Sequence, residues 1–163
     1  MNLIVAADAN WGIGKENKLL VSIPADMKFF RETTQDSVII MGRKTLLSFP
    51  NGKPLKNRIN IVITKDKNFE ESGAVICHSI EEAVDIAENY KDKKVFVVGG
   101  GTVYRQMLKY CDTAYITKIY KTFEEADTFI DNLDELPEWK VESESELKEY
   151  NGLGFRFITY KRI

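Results

Sequence analysis

A single histidine, His78, in a chain of 163 residues prunes the available chemistry sharply. Serine or cysteine triads and histidine metal clusters each need a histidine in a fixed constellation, and none is visible. Any catalysis must fall to a carboxylate, a tyrosine or a bound cofactor. Asp26 is the first candidate, in Ile23-Pro24-Ala25-Asp26-Met27-Lys28-Phe29-Phe30. Pro24 suits the first position of a helix, Asp26 falls in its first turn, and Phe30, four residues on, shares its face. An acid on an apolar face is costly to desolvate unless a ligand donates hydrogen bonds to it. The alternative is an acid that answers the helix dipole.

Three further candidates involve anions. Gly42-Arg43-Lys44-Thr45 opens a helix with two cations at the wrong end of its dipole. A phosphate there would turn that penalty into charge-assisted hydrogen bonds. Solvated side chains, at a cost of about 0.3–1 kcal/mol, are the alternative. In Gly99-Gly100-Gly101-Thr102, glycines let the backbone approach a ligand, and Thr102 is expected to cap the following helix. A strand, a glycine turn and a helix start together present free N–H groups to an anion. The fingerprint G-x-G-x-x-G is absent, because Tyr104 occupies the place of its last glycine, and the stretch is not a Walker loop. A tight turn without a ligand is equally compatible. Arg58 could clamp a carboxylate through two parallel hydrogen bonds, or simply end a strand in solvent.

The elements that must hold these residues follow from pattern. Leu3 to Ala7, Ser37 to Met41, Ile59 to Thr64, Ala74 to Cys77 and Lys94 to Val98 read as buried strands. Helices are expected from Pro24 to about Thr33, from Arg43 towards Phe49, from Ser79 to Tyr90 and after Gly101. Ser79-Ile80-Glu81-Glu82 has the form of a capping box. Asp8 to Ser22, with Trp11-Gly12-Ile13-Gly14, is a long loop suited to a lid. Thr113 to Tyr120 alternates Ala114, Ile116 and Ile119 with polar residues, and Trp139 to Arg162 reads as a hairpin turning at Asn151-Gly152. Strands alternate with helices until Tyr110, and only strands follow. This order predicts a single α/β domain over residues 1–163. Its mixed sheet is mostly parallel, with helices on both faces and an antiparallel C-terminal hairpin. Ligands of such sheets bind at the carboxyl ends of the strands, and Asp26, Gly42 to Thr45, Thr64-Lys65 and Gly99 to Thr102 all fall just after strands or at helix starts.

The formal net charge is −2 with both signs dispersed, which argues against a nucleic-acid or membrane partner. The apolar start is too short for a signal peptide or a membrane span. Cys77 and Cys111 have no C-x-x-C partner, so neither zinc nor a disulfide framework is expected, and a cytoplasmic setting is.

Taken together, Trp11 to Gly14, Ile23 to Phe30, Ile40-Met41-Gly42-Arg43-Lys44-Thr45, Val97 to Tyr104 and Tyr115-Ile116-Thr117-Lys118-Ile119 resemble dihydrofolate reductases of the chromosomal bacterial type. The resemblance covers nearly the whole chain. It implies a monomer that reduces 7,8-dihydrofolate to tetrahydrofolate with NADPH. By position, Asp26 resembles the acid that holds the pterin N3 and 2-amino group, and Thr117 the threonine bonded to that acid. Met27, Phe30, Phe49 and Leu55 resemble the walls around the pterin and aminobenzoyl rings, and Arg58 the clamp on the glutamate α-carboxylate. Ile4, Val5 and Val98 resemble the pterin floor and its backbone acceptors. Ala6, Ile13, Gly14 and Leu19 would frame the nicotinamide. Gly42, Arg43, Lys44, Thr45, Thr64, Lys65 and His78 would serve the adenosine and its 2′-phosphate. Gly100, Gly101, Thr102 and Val103 would cradle the pyrophosphate, Gly99 and Tyr104 would also serve the cofactor, and the family's cis peptide would fall at Gly99–Gly100. The usual Pro-Trp pair before the active-site helix is replaced by Leu20-Val21. The same scaffold could instead serve a pyrimidine reductase of flavin biosynthesis, or a module that binds NADPH without turnover.

Overall fold

The computed structural model describes residues 1–163. In chain order the first half comprises β1 (Asn2–Ala7), β2 (Gly12–Lys15), β3 (Lys18–Leu19), α1 (Pro24–Thr33), β4 (Val38–Gly42), α2 (Arg43–Ser48), β5 (Ile59–Ile63) and β6 (Ala74–Cys77). Then come α3 (Ile80–Glu88), β7 (Val95–Gly99), α4 (Gly101–Met107), β8 (Thr113–Ile119), β9 (Thr128–Phe129), β10 (Trp139–Glu144), β11 (Lys148–Tyr150) and β12 (Leu153–Arg162). The main sheet has nine strands in the order β10-β12-β8-β1-β7-β4-β5-β6, with β11 beside β12. From β8 to β6 every pairing is parallel, and β12 joins β8 antiparallel. The expected mixed α/β architecture is therefore present.

The central strands are apolar on both faces because helices cover both. Side chains alternate between two cores, as the twofold period of a strand requires. Val38, Ile40, Ile61, Val97, Ala114 and Ile116 face α3 and α4, whose Ala83, Val84, Val103 and Met107 join the same core. Ile4, Ile39, Met41, Val62, Phe96 and Val98 face the other way, towards α1 and α2, with Leu46, Phe29 and Phe30. Phe96 is 1% exposed there, with the Tyr115 ring 6.0 Å away. Phe96→Ala should cost about 3–5 kcal/mol, the range for large-to-small changes in a packed core, as measured by urea unfolding. A loss below 1 kcal/mol would show that this core can collapse around the gap.

Parallel register brings the carboxyl ends of the strands to one edge. Ala6 pairs with Thr117, Met41 with Gly99, and Gly42 with Ile63. Helix α1 crosses above that edge and has no fully buried residue, its inward stripe of Asp26, Phe29, Phe30 and Thr33 being only half-buried. A helix that leaves its apolar stripe partly uncovered walls a cleft.

Several expected boundaries shift. Gly100, not Thr102, caps α4, and its carbonyl accepts the Tyr104 N–H at 2.9 Å. The Thr102 hydroxyl is engaged by Arg105 Nη2 at 3.5 Å instead. Helix α3 ends at Glu88 rather than Tyr90, strand β5 stops before Thr64, β8 stops before Tyr120, and β4 begins after Ser37. Ser79 caps α3 as expected, accepting the Glu82 N–H at 3.0 Å, but the Glu82 carboxylate reaches the N–H of His78 at 3.4 Å. The loop from Asp8 to Ser22 is not irregular throughout: β2 pairs with β3 and with β9, a short strand no sequence pattern announced. The terminal hairpin does turn at Asn151-Gly152, both at positive φ, with β10 as an added partner of β12.

Candidate active site

Asp26 and Thr117, 91 residues apart, meet across the mouth of the cleft: the Thr117 hydroxyl donates to Asp26 Oδ1 at 2.6 Å. Pro24 starts α1 with Asp26 in its first turn, while Thr117 lies near the carboxyl end of β8, beside Ala6 of β1. Burial raises the Asp26 carboxyl above the ordinary aspartate range, and the Thr117 hydrogen bond partly holds it down. This carboxyl is thus no solvated dipole-answering acid. Phe30, Phe49 and Leu55 pack half-buried against the α1-side core, where Ile4 and Val98 form part of the floor. Met27 is 46% exposed, at the rim of the helix rather than in the core. The Val5 side chain packs on the opposite core, so only its backbone can serve the cleft.

Neither thiol is available as a nucleophile. Cys77 and Cys111 are buried, which pushes both up to about 11.

The starts of α2 and α4 approach each other at the glycine turn, where a Cβ on Gly42 would lie 3.5 Å from Val103 Cγ2. Gly99 and Gly100 are joined by a cis peptide, as the resemblance implied. A Cβ on Gly99 or Gly100 would lie 3.4 or 3.6 Å from Thr45 Oγ1, so the α2 start and the glycine turn face each other closely. At Gly101 a Cβ would meet Thr128 Cγ2 at 2.6 Å, which excludes any larger residue without a shift of β9. Neither α2 nor α4 carries an acid in its first turn, leaving both positive dipole ends uncompensated. Arg43 of α2 stands 3.9 Å from the Asp66 carboxylate and 5.9 Å from the Phe69 ring. Lys44 and Lys65 are exposed beside it, while Thr64 is buried with its carbonyl 2.8 Å from His78 Nδ1.

Some expected contacts are absent from the cleft surface. Tyr104, expected to serve the cofactor, is buried and donates its hydroxyl to the Ile4 carbonyl at 2.8 Å, locking α4 to β1. Ile13 is buried in the α3–α4-side core, and Gly14 is buried within β2. Leu19 is 61% exposed on β3 and frames nothing in this conformation. Val21, in place of the family's tryptophan, packs half-buried against Ile23, Ile119 and Phe155. Arg58 is no free strand end, since three of its N–H groups already have protein acceptors.

Other residues with evident work were not singled out from sequence. Asp8 is 1% exposed and accepts the N–H groups of Asn10, Gly12 and Phe123 at 2.8–2.9 Å, tying the long loop to the segment before β9. The Lys118 ammonium lies 3.7 Å from the Trp11 ring centroid, beneath the same loop. Thr34 and Asn60, both buried, hold Arg58 and its loop. The lone polar residue inside Ile59-Asn60-Ile61-Val62-Ile63 was the one available signal for the last of these.

The dihydrofolate reductase family model matches residues 1–162. Among curated relatives, dihydrofolate reductase of Staphylococcus haemolyticus is 39% identical, the alignment covering 100% of this chain and 96% of that protein. The Bacillus subtilis enzyme is 38% identical, with 99% and 94% covered. Among solved structures, dihydrofolate reductase from Enterococcus faecalis complexed with NADP(H) and RAB-propyl superposes with a TM-score of 0.84. It is 33% identical, with 99% and 95% of the two chains covered. With a cleft acid bonded to a threonine, and two helix starts converging beside it, the chain belongs to the dihydrofolate reductase family.

Proposed function

We propose that residues 1–163 act as a monomeric, cytoplasmic reductase of 7,8-dihydrofolate, with the roles below for its cleft residues. The family assignment makes the chain an NADPH-dependent oxidoreductase that forms tetrahydrofolate. The observation that carries the residue roles is the desolvated Asp26 carboxyl held by Thr117 at 2.6 Å. A half-buried carboxylate with one satisfied oxygen invites a planar ligand that offers two N–H donors, as pterin N3 and its 2-amino group do. Its negative charge also favours the protonated pterin, and so supports proton uptake at N5. Thr117 fixes the acid's rotamer. Ile4, Val98, Phe30, Phe49 and Leu55 supply the apolar walls, and Arg58 takes the glutamate α-carboxylate. One chain provides all of these groups, so no second copy is needed to complete the cleft. No helix is long and apolar enough to cross a membrane, and two free buried thiols suit a reducing compartment.

The residues present fit the cofactor. A Cβ at Gly101 would meet Thr128 Cγ2 at 2.6 Å, and Gly99 adopts a positive φ of 124° that favours glycine, while the two uncompensated helix starts suit a pyrophosphate and a 2′-phosphate. Bound NADPH would supply the hydride for the pterin C6. Gly99 to Val103 would hold the pyrophosphate through backbone N–H groups, and Arg43, Lys44, Thr45, Thr64, Lys65 and His78 would line the adenosine end. Asp8 anchors the loop whose Leu19 strand can cover the reacting ring and exclude water. Purified protein should consume NADPH only when dihydrofolate is present, one for one, giving tetrahydrofolate. No turnover with both present would contradict this reading, and turnover of a pyrimidine substrate instead would favour the flavin-pathway reductase.

Arg43 provides a test of the cofactor end. NADPH differs from NADH by a phosphate of nearly two charges, placed here beside Arg43. Arg43→Gln should weaken NADPH binding by about 1.5–3 kcal/mol, the scale of a charge-assisted hydrogen bond, and leave NADH nearly unchanged. Equal losses by fluorescence titration would put the 2′-phosphate elsewhere.

A further inference from the structure

The guanidinium of Arg58 is oriented by protein before any ligand arrives. Its Nε donates to Thr34 Oγ1 at 2.9 Å, its Nη2 to the Arg31 carbonyl at 2.7 Å, and its Nη1 to the Lys56 carbonyl at 2.6 Å. The Thr34 hydroxyl spends its own proton on the Phe30 carbonyl at 2.8 Å, so a lone pair is left for Arg58. Thr34 is fully buried at the end of α1. On the strand side, Asn60 is 1% exposed within an otherwise apolar β5. Its Oδ1 accepts the Leu55 N–H at 3.1 Å, and its Nδ2 donates to the carbonyls of Leu55 at 2.9 Å and Arg58 at 3.3 Å. A buried amide without partners would be costly, so these bonds pin the loop that carries both Leu55 and Arg58.

Of five guanidinium N–H groups, three are committed and one remains on each terminal nitrogen, the pair that a carboxylate takes in a bidentate contact. Resting on the reading of Arg58 as the clamp on the substrate's α-carboxylate, we propose that Thr34 and Asn60 are its positioning residues. Thr34 fixes the guanidinium and Asn60 fixes its backbone, so the clamp is preset. The rotamer entropy of a long side chain is then lost on folding rather than on binding. Burial and the neighbouring Arg31 cation both disfavour the Arg58 charge, with Asp36 opposing them, which leaves room for an anionic ligand to relieve the site.

The test compares two substrates, dihydrofolate and a 7,8-dihydropterin without the glutamate tail. Thr34→Val keeps the volume and branching but neither hydrogen bond, whereas Thr34→Ser keeps the hydroxyl. Thr34→Val should raise KM for dihydrofolate on the order of tenfold. It should leave kcat and the tail-less substrate's KM near the parent's, and Thr34→Ser should restore the dihydrofolate KM. Asn60→Ser should show the same split and serves as the second variant if Thr34→Val folds poorly. Equal losses on both substrates would make Thr34 and Asn60 structural only and overturn the proposal. Arg58→Lys separates the layers. If it raises the dihydrofolate KM while the Thr34 and Asn60 variants do not, the clamp stands and the positioning role falls. If Arg58→Lys changes nothing, the clamp reading itself fails and takes the proposal with it.

Discussion

Asp26→Asn should lower kcat/KM for dihydrofolate at neutral pH by roughly 10²–10⁴, the span expected of an acid–base contribution. Asn keeps the size and still accepts the Thr117 hydroxyl. It loses the charge, and its amide presents a donor where the pterin also donates. The deficit should shrink as pH falls, because acid increasingly protonates the substrate without help from the protein. The measurement is the pH–rate profile of the variant against the parent at saturating NADPH. A deficit constant across pH would remove protonation from the role of Asp26, and full activity at every pH would remove the role itself.

The same substitution should not harm the fold. Burial raises the Asp26 carboxyl in the folded, ligand-free protein, so the folded state holds this proton more tightly than the unfolded chain. Between the ordinary aspartate value and the raised folded one, the folded state binds more protons, and stability falls as pH rises through that window. At neutral pH the ionised carboxylate is therefore a burden on the ligand-free protein. Asp26→Asn should unfold in urea no earlier than the parent, which separates lost chemistry from lost structure.

Arg58→Lys is the second large effect. Lysine offers a point charge on a flexible stem and cannot reproduce the planar fork, nor the bonds to Thr34 Oγ1 and the Arg31 and Lys56 carbonyls. KM for dihydrofolate should rise by roughly 10–100-fold, the scale of a charged hydrogen-bonded contact, and KM for NADPH should stay nearly unchanged. An unaltered dihydrofolate KM would leave Arg58 only the task of joining α1 to β5.

Much of this molecule was legible in its residues because local and global preferences agree. Val38 to Met41 and Val95 to Val98 are continuous apolar runs, and only a strand covered on both faces accommodates them. Pro24 marked the start of α1, and Asn151-Gly152 marked the hairpin. What the sequence concealed was set by long-range pairing. Strand β9 exists because β2 offers it an edge, and two residues carry no pattern. Thr102 looked like a cap, but Gly100, two residues earlier, caps α4. Tyr104 and Ile13 sit next to cleft-forming residues in sequence, yet the helical period of α4 and the alternation of β2 turn them into the core. A buried threonine such as Thr34 has no spacing signature, and Asn60 shows in the sequence only as a lone polar residue within an apolar strand. Their roles emerge only from the acceptors around Arg58.

The roles assigned here depend most on Asp26 being a desolvated carboxylate held by Thr117 rather than a solvated helix-start acid. A carbon-13 NMR titration of the aspartate carboxyls in the ligand-free protein, with Asp26→Asn to assign the resonance, measures this directly. The Asp26 carboxyl should titrate above the ordinary aspartate range, and Thr117→Val should push it higher, since the hydroxyl stabilises the ionised form. A midpoint at or below the ordinary value, unmoved by Thr117→Val, would contradict the account.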